Sequence, residues 1–98
     1  MFKAIEEAVE AVRSGSATLI DVRTHAEYKS EAAIDAVHLE LAAIESGENP
    51  DCAKDRQILI YCRSGGRAGT ACSILQSREF TNVHNVGGLS SWLAAASE

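Results

Sequence analysis

Residues 58–75 read ILIYCRSGGRAGTACSIL, and three kinds of pattern follow one another inside this stretch. Gln57 to Tyr61 is an apolar run of the length of a buried strand. Cys62 ends it, and Ala68, Ala71, Cys72 and Leu75 recur at helical spacing. The unit is therefore strand, loop, helix, with a thiol at the junction. In a parallel α/β sheet, ligands bind in the crevice beyond the carboxyl ends of the strands, which is where Cys62 falls. Ser64, Gly65 and Gly66 let the backbone curl so that successive N–H groups converge as an anion-binding nest, and the following helix adds its positive end. Arg63 and Arg67 add full charges. These features favour thiolate over thiol; cysteines in such settings ionise at about 3.5–7.5 instead of about 8.5. Arg67 can also offer a forked pair of donors to a sulfonate, sulfate or phosphate.

Working outward, residues 2–13 carry Phe2, Ile5, Val9 and Val12 on one stripe and acidic residues mostly on the other, an amphipathic helix broken by Ser14-Gly15-Ser16. Ala17 to Val22 reads as a short buried strand. Thr24-His25-Ala26-Glu27 fits a capping box that starts a second helix. Ala36 to Leu39 is a further short strand, followed by a weakly helical LAAIES that GENPD, residues 47–51, terminates. Val83 to Val86 supplies a last strand, Gly87-Gly88 a tight turn, and Leu89, Trp92, Leu93 and Ala96 a closing helix. Strand and helix alternate throughout. The expectation is one α/β domain over residues 1–98, with a mainly parallel four- to five-stranded sheet and helices on both faces.

Composition narrows the partners. The 98 residues carry a formal charge of −5, and acidic side chains are concentrated in the first half. That balance argues against a nucleic-acid backbone as ligand while leaving room for a small anion held locally. No run approaches the roughly 20 apolar residues of a membrane span, and the acids within MFKAIEEAVEAVRSG are unlike a signal peptide. A cytoplasmic protein is expected, with neither membrane nor nucleic acid as partner. Cysteines 52, 62 and 72 show no C-x-x-C pair and no histidine at zinc spacing, so neither a disulfide framework nor a metal site is indicated. Cys72 reads as a core residue on its helix stripe and Cys52 as a surface thiol in a polar turn, with a resolving role left open. His25, His38 and His84 read as surface or packing residues, and Trp92 as core.

The order of three motifs then carries a resemblance. LIDVR (19–23) followed by a helix with Glu27-Tyr28, YCRSGGRA (61–68) as a loop of Cys-Arg-x-Gly-x-Arg type, and NVGGLSSW (85–92) are together similar to the single-domain rhodaneses, a family of thiosulfate sulfurtransferases. The resemblance runs over nearly the whole chain. It implies that Cys62 is the nucleophile and carries a persulfide, and that Arg67 binds the anionic end of the sulfur donor. The amides of Ser64, Gly65 and Gly66 would stabilise the persulfide, and Arg63 would shape the potential. Asp21 and Arg23 would lie near the loop, mainly as support. The implied partners are a small anionic sulfur donor and a thiophilic acceptor such as cyanide, a thiol or an acceptor protein's thiol, with no cofactor. Four residues separate Cys62 from Arg67, whereas related phosphatases have five, and the smaller ring favours a sulfur donor over a phosphate ester. The family's Gly-His-Ile-Pro-Gly-Ala segment corresponds to Glu31-Ala32-Ala33-Ile34-Asp35-Ala36, where only Ala36 matches. Two classes stand at this point: an enzyme, and a noncatalytic persulfide-carrier or protein-interaction module of the same fold.

Overall fold

The computed structural model describes residues 5–97. Helix α1 (Ile5–Arg13) leads into β1 (Ala17–Asp21), α2 (His25–Ser30), β2 (Ala36–His38), α3 (Leu41–Glu45), β3 (Gln57–Cys62), α4 (Gly66–Ser77), β4 (Val83–Gly88) and α5 (Leu89–Ala96). Phe2, assigned to the first helix from its periodicity, lies outside the described residues. The strands form one sheet in the order β2-β1-β3-β4, and every neighbouring pair is parallel. The sheet thus has four strands, the lower of the two numbers expected.

Strand β3 is buried on both faces, as a central parallel strand must be. Ile58, Ile60 and Cys62 point to one side, where they pack with Ile44 of α3 and with Ala68, Ala71, Cys72 and Leu75 of α4. Leu59 and Tyr61 point to the other side, against Ala8 and Val9 of α1 and Leu89, Trp92 and Ala95 of α5. The stripe on α4 is therefore the core face that its spacing predicts, whereas on α5 Leu89 and Trp92 are buried together with Ala95, and Leu93 and Ala96 of the predicted stripe are only partly buried. Helix α2 buries no side chain. It is held instead by its capping box: the Thr24 hydroxyl accepts the Glu27 N–H at 3.3 Å, and the Thr24 N–H donates to the Glu27 carboxylate at 3.0 Å.

Strand order creates the crevice. From β1 the chain moves outward to β2, and from β3 it moves the opposite way to β4, so β1 and β3 are neighbours at the point where the winding reverses. Such switch points leave a cleft beyond the strand ends. Here the reversal falls at the ends of β1 and β3, where Asp21 and Tyr61 pair in register.

The expected turn at Gly87-Gly88 is corrected by this sheet. Both glycines belong to β4, opposite Tyr61 and Cys62, after a bulge that interrupts the register between Ile60 and Tyr61. The reason they are glycines is local. Gly87 takes φ 91° at the irregularity. A Cβ on Gly88 would stand 2.3 Å from the Arg63 carbonyl oxygen. The pair lets a strand run directly beneath the cysteine loop.

Candidate active site

Cys62 is the last residue of β3, and only 1% of its surface is exposed. The sulfur lies on the floor of its loop and not on an open rim, deeper than the solvent-accessible crevice position expected. Gly65 adopts φ 103° ahead of α4, a left-handed conformation that glycine takes without steric cost. That turn directs the Gly65 N–H at Cys62 Sγ, 2.9 Å away. Burial pushes the thiol up, but the backbone N–H groups of Ala68, Ser64, Gly65 and Arg67 outweigh it and hold Cys62 below the ordinary thiol range. The nest read from the sequence is present, and main-chain amides do most of the ionising work assigned jointly to the arginines.

The two arginines part company. Arg63 is exposed, and among the described residues it forms no ion pair. Arg67 turns its fork to α2, donating from Nη1 to Glu27 Oε1 at 2.7 Å and from Nη2 to Oε2 at 3.0 Å. The expectation that this fork faces a substrate anion therefore needs revision: in the resting protein both of its ends are on a carboxylate. Glu27 is pushed down to about 2, first by Arg67 and next by the Thr24 N–H, so it stays ionised throughout the neutral range. The sequence marks Glu27 as a capping residue and as part of the resembling Glu27-Tyr28 pair, but not as a partner of Arg67. Its position 40 residues from Arg67 gave no sign of the pairing.

At the end of β1, Asp21 and Arg23 are buried and bonded to each other, with Arg23 Nη2 at 2.7 Å from Asp21 Oδ2. The Tyr61 hydroxyl donates to the same Asp21 oxygen at 2.6 Å and accepts the Ala33 N–H at 3.1 Å. Burial pushes the phenol up, so it remains a donor. Arg23 also donates to the Glu31 carbonyl oxygen. Asp21 and Arg23 thus belong to a buried network that fastens β1, β3 and the atypical segment 31–36 together. Asn85 performs the matching task on the other flank. Its side-chain amide donates to the Gly65 carbonyl at 2.9 Å, and its oxygen accepts the Gly87 N–H at 2.9 Å. Neither Tyr61 nor Asn85 was marked as a site residue by sequence pattern.

The other thiols are set apart. Burial pushes Cys72 up to about 11, and it packs in the α4 core. Cys52 is half-buried against the same core, and burial raises it also. His38 packs flat on Tyr28, 4.5 Å between ring centres, and bonds the Arg23 carbonyl oxygen. Among the described residues no cluster could hold a metal ion, and no helix is long and apolar enough to cross a membrane. Beside the loop, a cleft of about 500 Å³ is lined by residues that include Arg23, Glu27, Glu31, Arg63 and Leu89.

With this buried thiol and its loop amides at the sheet's switch point, the chain is matched over residues 4–95 by a family model described as the rhodanese-like domain. The chain belongs to the rhodanese-like domain family. This rhodanese-like domain is 32% identical to a thiosulfate sulfurtransferase, GlpE, of Coxiella burnetii, over 96% of the chain and 90% of that protein. It is 40% identical to a sulfurtransferase of Allochromatium vinosum over 76% of the chain and 69% of that protein. In fold, it matches the human single-domain sulfurtransferase TSTD1 with a TM-score of 0.81 at 22% identity, covering 90% of each chain.

Proposed function

We propose that this rhodanese-like domain is a sulfurtransferase that moves the sulfane sulfur of thiosulfate, or of a related anionic donor, to a thiophilic acceptor through a persulfide on Cys62. The observation that carries the reading is the Gly65 N–H aimed at Cys62 Sγ within a loop that lowers the thiol below its ordinary range. The Cys62 thiolate attacks the outer sulfur of thiosulfate. A new S–S bond forms, the bond between outer sulfur and sulfonate sulfur breaks, and its electron pair leaves with sulfite. Cys62 then carries a persulfide anion, which the amides of Ser64, Gly65 and Gly66 stabilise as they did the thiolate. An acceptor nucleophile attacks the terminal sulfur, the S–S bond breaks, and the thiolate returns.

Arg63, exposed and without an ion pair among the described residues, meets the donor's sulfonate. Arg67 contributes the N–H groups that Glu27 leaves uncommitted, and Asp21 and Arg23 hold the floor. No cofactor is needed, because the sulfur is transferred as a neutral atom between nucleophiles. The cytoplasm suits a domain whose three cysteines are all free thiols. The relatives' names support the sulfur-transfer class, and the GlpE match supports thiosulfate as donor.

The test is intact mass after incubation with thiosulfate, followed by addition of cyanide. A gain of one sulfur atom that is absent in Cys62→Ser, together with catalytic release of thiocyanate, is expected. Uptake without turnover would reduce the domain to a persulfide carrier. Uptake by Cys62→Ser would overturn the nucleophile.

A further inference from the structure

The pairing of Arg67 with Glu27 bears on which anions occupy the loop at rest. Both Glu27 oxygens accept from the Arg67 fork, and Oε1 also accepts from the Thr24 N–H and, at 3.1 Å, from the Thr24 hydroxyl. The carboxylate is thus fixed as well as charged, and it lines the same cleft as Arg63. The cationic loop written in the sequence as two arginines is, in the fold, one arginine without an ion pair among the described residues plus amides, with the second positive charge cancelled. An oxyanion clamp alone cannot tell thiosulfate from sulfate or phosphate, since all present similar oxygens. Holding them all more tightly is uniform binding, and only contact with the reacting sulfur separates them.

We infer that Glu27 is a specificity-determining residue: by neutralising Arg67 it weakens the loop's hold on oxyanions that have no sulfur to transfer, and keeps Cys62 accessible to those that do. This deepens the sulfurtransferase reading and rests on it. Removing a negative charge several Å from a bound anion at an effective dielectric between protein surface and water should tighten that anion roughly three- to thirtyfold. A residue that merely orients Arg67 would give the opposite sign on removal.

The experiment is protection of Cys62 from iodoacetamide by sodium sulfate, at constant ionic strength held with chloride, in wild type, Glu27→Gln and Thr24→Ala. Glutamine at this position still completes a capping box, so the first variant changes charge with little change of shape. Thr24→Ala weakens the cap but keeps the carboxylate. The expected result is a sulfate half-protection concentration lowered roughly three- to thirtyfold in Glu27→Gln and unchanged or raised in Thr24→Ala. An unchanged or raised value in Glu27→Gln, equal tightening in both variants, or no protection of any protein by sulfate overturns the inference. The readout needs no sulfur transfer. If the wild type takes up no sulfur from thiosulfate while Glu27→Gln still tightens sulfate, the transfer reading fails and the electrostatic role of Glu27 stands apart from it.

Discussion

Replacing Gly88 by alanine separates steric necessity from backbone freedom at this site, because its neighbour Gly87 supplies the control. Gly88 has φ −106° and ψ 158°, a conformation open to any residue, so alanine meets no backbone strain there. The added Cβ would stand 2.3 Å from the Arg63 carbonyl oxygen and 3.1 Å from its carbon. That oxygen contact is about 1 Å inside ordinary van der Waals separation, and the atoms that must yield are the main chain of the cysteine loop. Overpacking by a single carbon costs about 1–3 kcal/mol. Alanine in place of glycine at the helix N-cap adds about 1 kcal/mol more. A loss of about 2–4 kcal/mol is expected, a large share of the 5–15 kcal/mol typical of a domain. Gly87 has φ 91° but open space where its Cβ would go. Alanine there costs about 1–2 kcal/mol of backbone strain and leaves the loop in place. Urea unfolding gives the stabilities, and the rate of Cys62 alkylation by iodoacetamide reports the loop. Gly88→Ala should slow alkylation as well as unfold earlier, whereas Gly87→Ala should only unfold earlier. A Gly88→Ala protein with the wild-type urea midpoint and alkylation rate would refute the claim that β4 and the loop are in forced contact.

Thiol titration gives a second expectation: peptide mapping after brief alkylation at pH 7 should find label on Cys62, with Cys52 and Cys72 unmodified, since burial raises both of the latter and amides lower the former. The stability consequences have opposite signs. Cys62, lowered in the fold, contributes stabilisation that is fully present above the unfolded value of about 8.5 and lost as pH falls through its folded value. Cys72, raised to about 11, removes stability as pH climbs from about 8.5 toward that value. Thermal melting of Cys72→Ala against wild type should therefore show less alkaline destabilisation in the variant. Tyr61→Phe deletes a buried hydroxyl that serves both Asp21 and the Ala33 N–H. It should cost about 1–3 kcal/mol by urea unfolding, and a loss under 0.5 kcal/mol would mean that segment 31–36 is not anchored there.

Sequence alone determined what depends on neighbours along the chain. Alternating strand and helix periodicities gave the α/β class, because burial of one helix face or of a central strand imposes its own spacing on the apolar residues. The stretch from Tyr61 to Ala68 made the thiol and the amides around it legible, since a cysteine at a strand end followed by glycines and a helix start is written in eight consecutive positions. The capping box at Thr24 was legible for the same reason. Tertiary structure decided everything that joins distant segments. Only the β2-β1-β3-β4 order sets Asp21 beside Tyr61 and Asn85 against Gly65, and makes Gly88 a packing requirement in place of a turn. It also brought Glu27 to Arg67 across 40 residues. Local pattern records which residues can carry charge, but whether a charge is free or cancelled depends on what the fold sets beside it, and here it gave Arg67 the partner Glu27 and, among the described residues, gave Arg63 no ion pair.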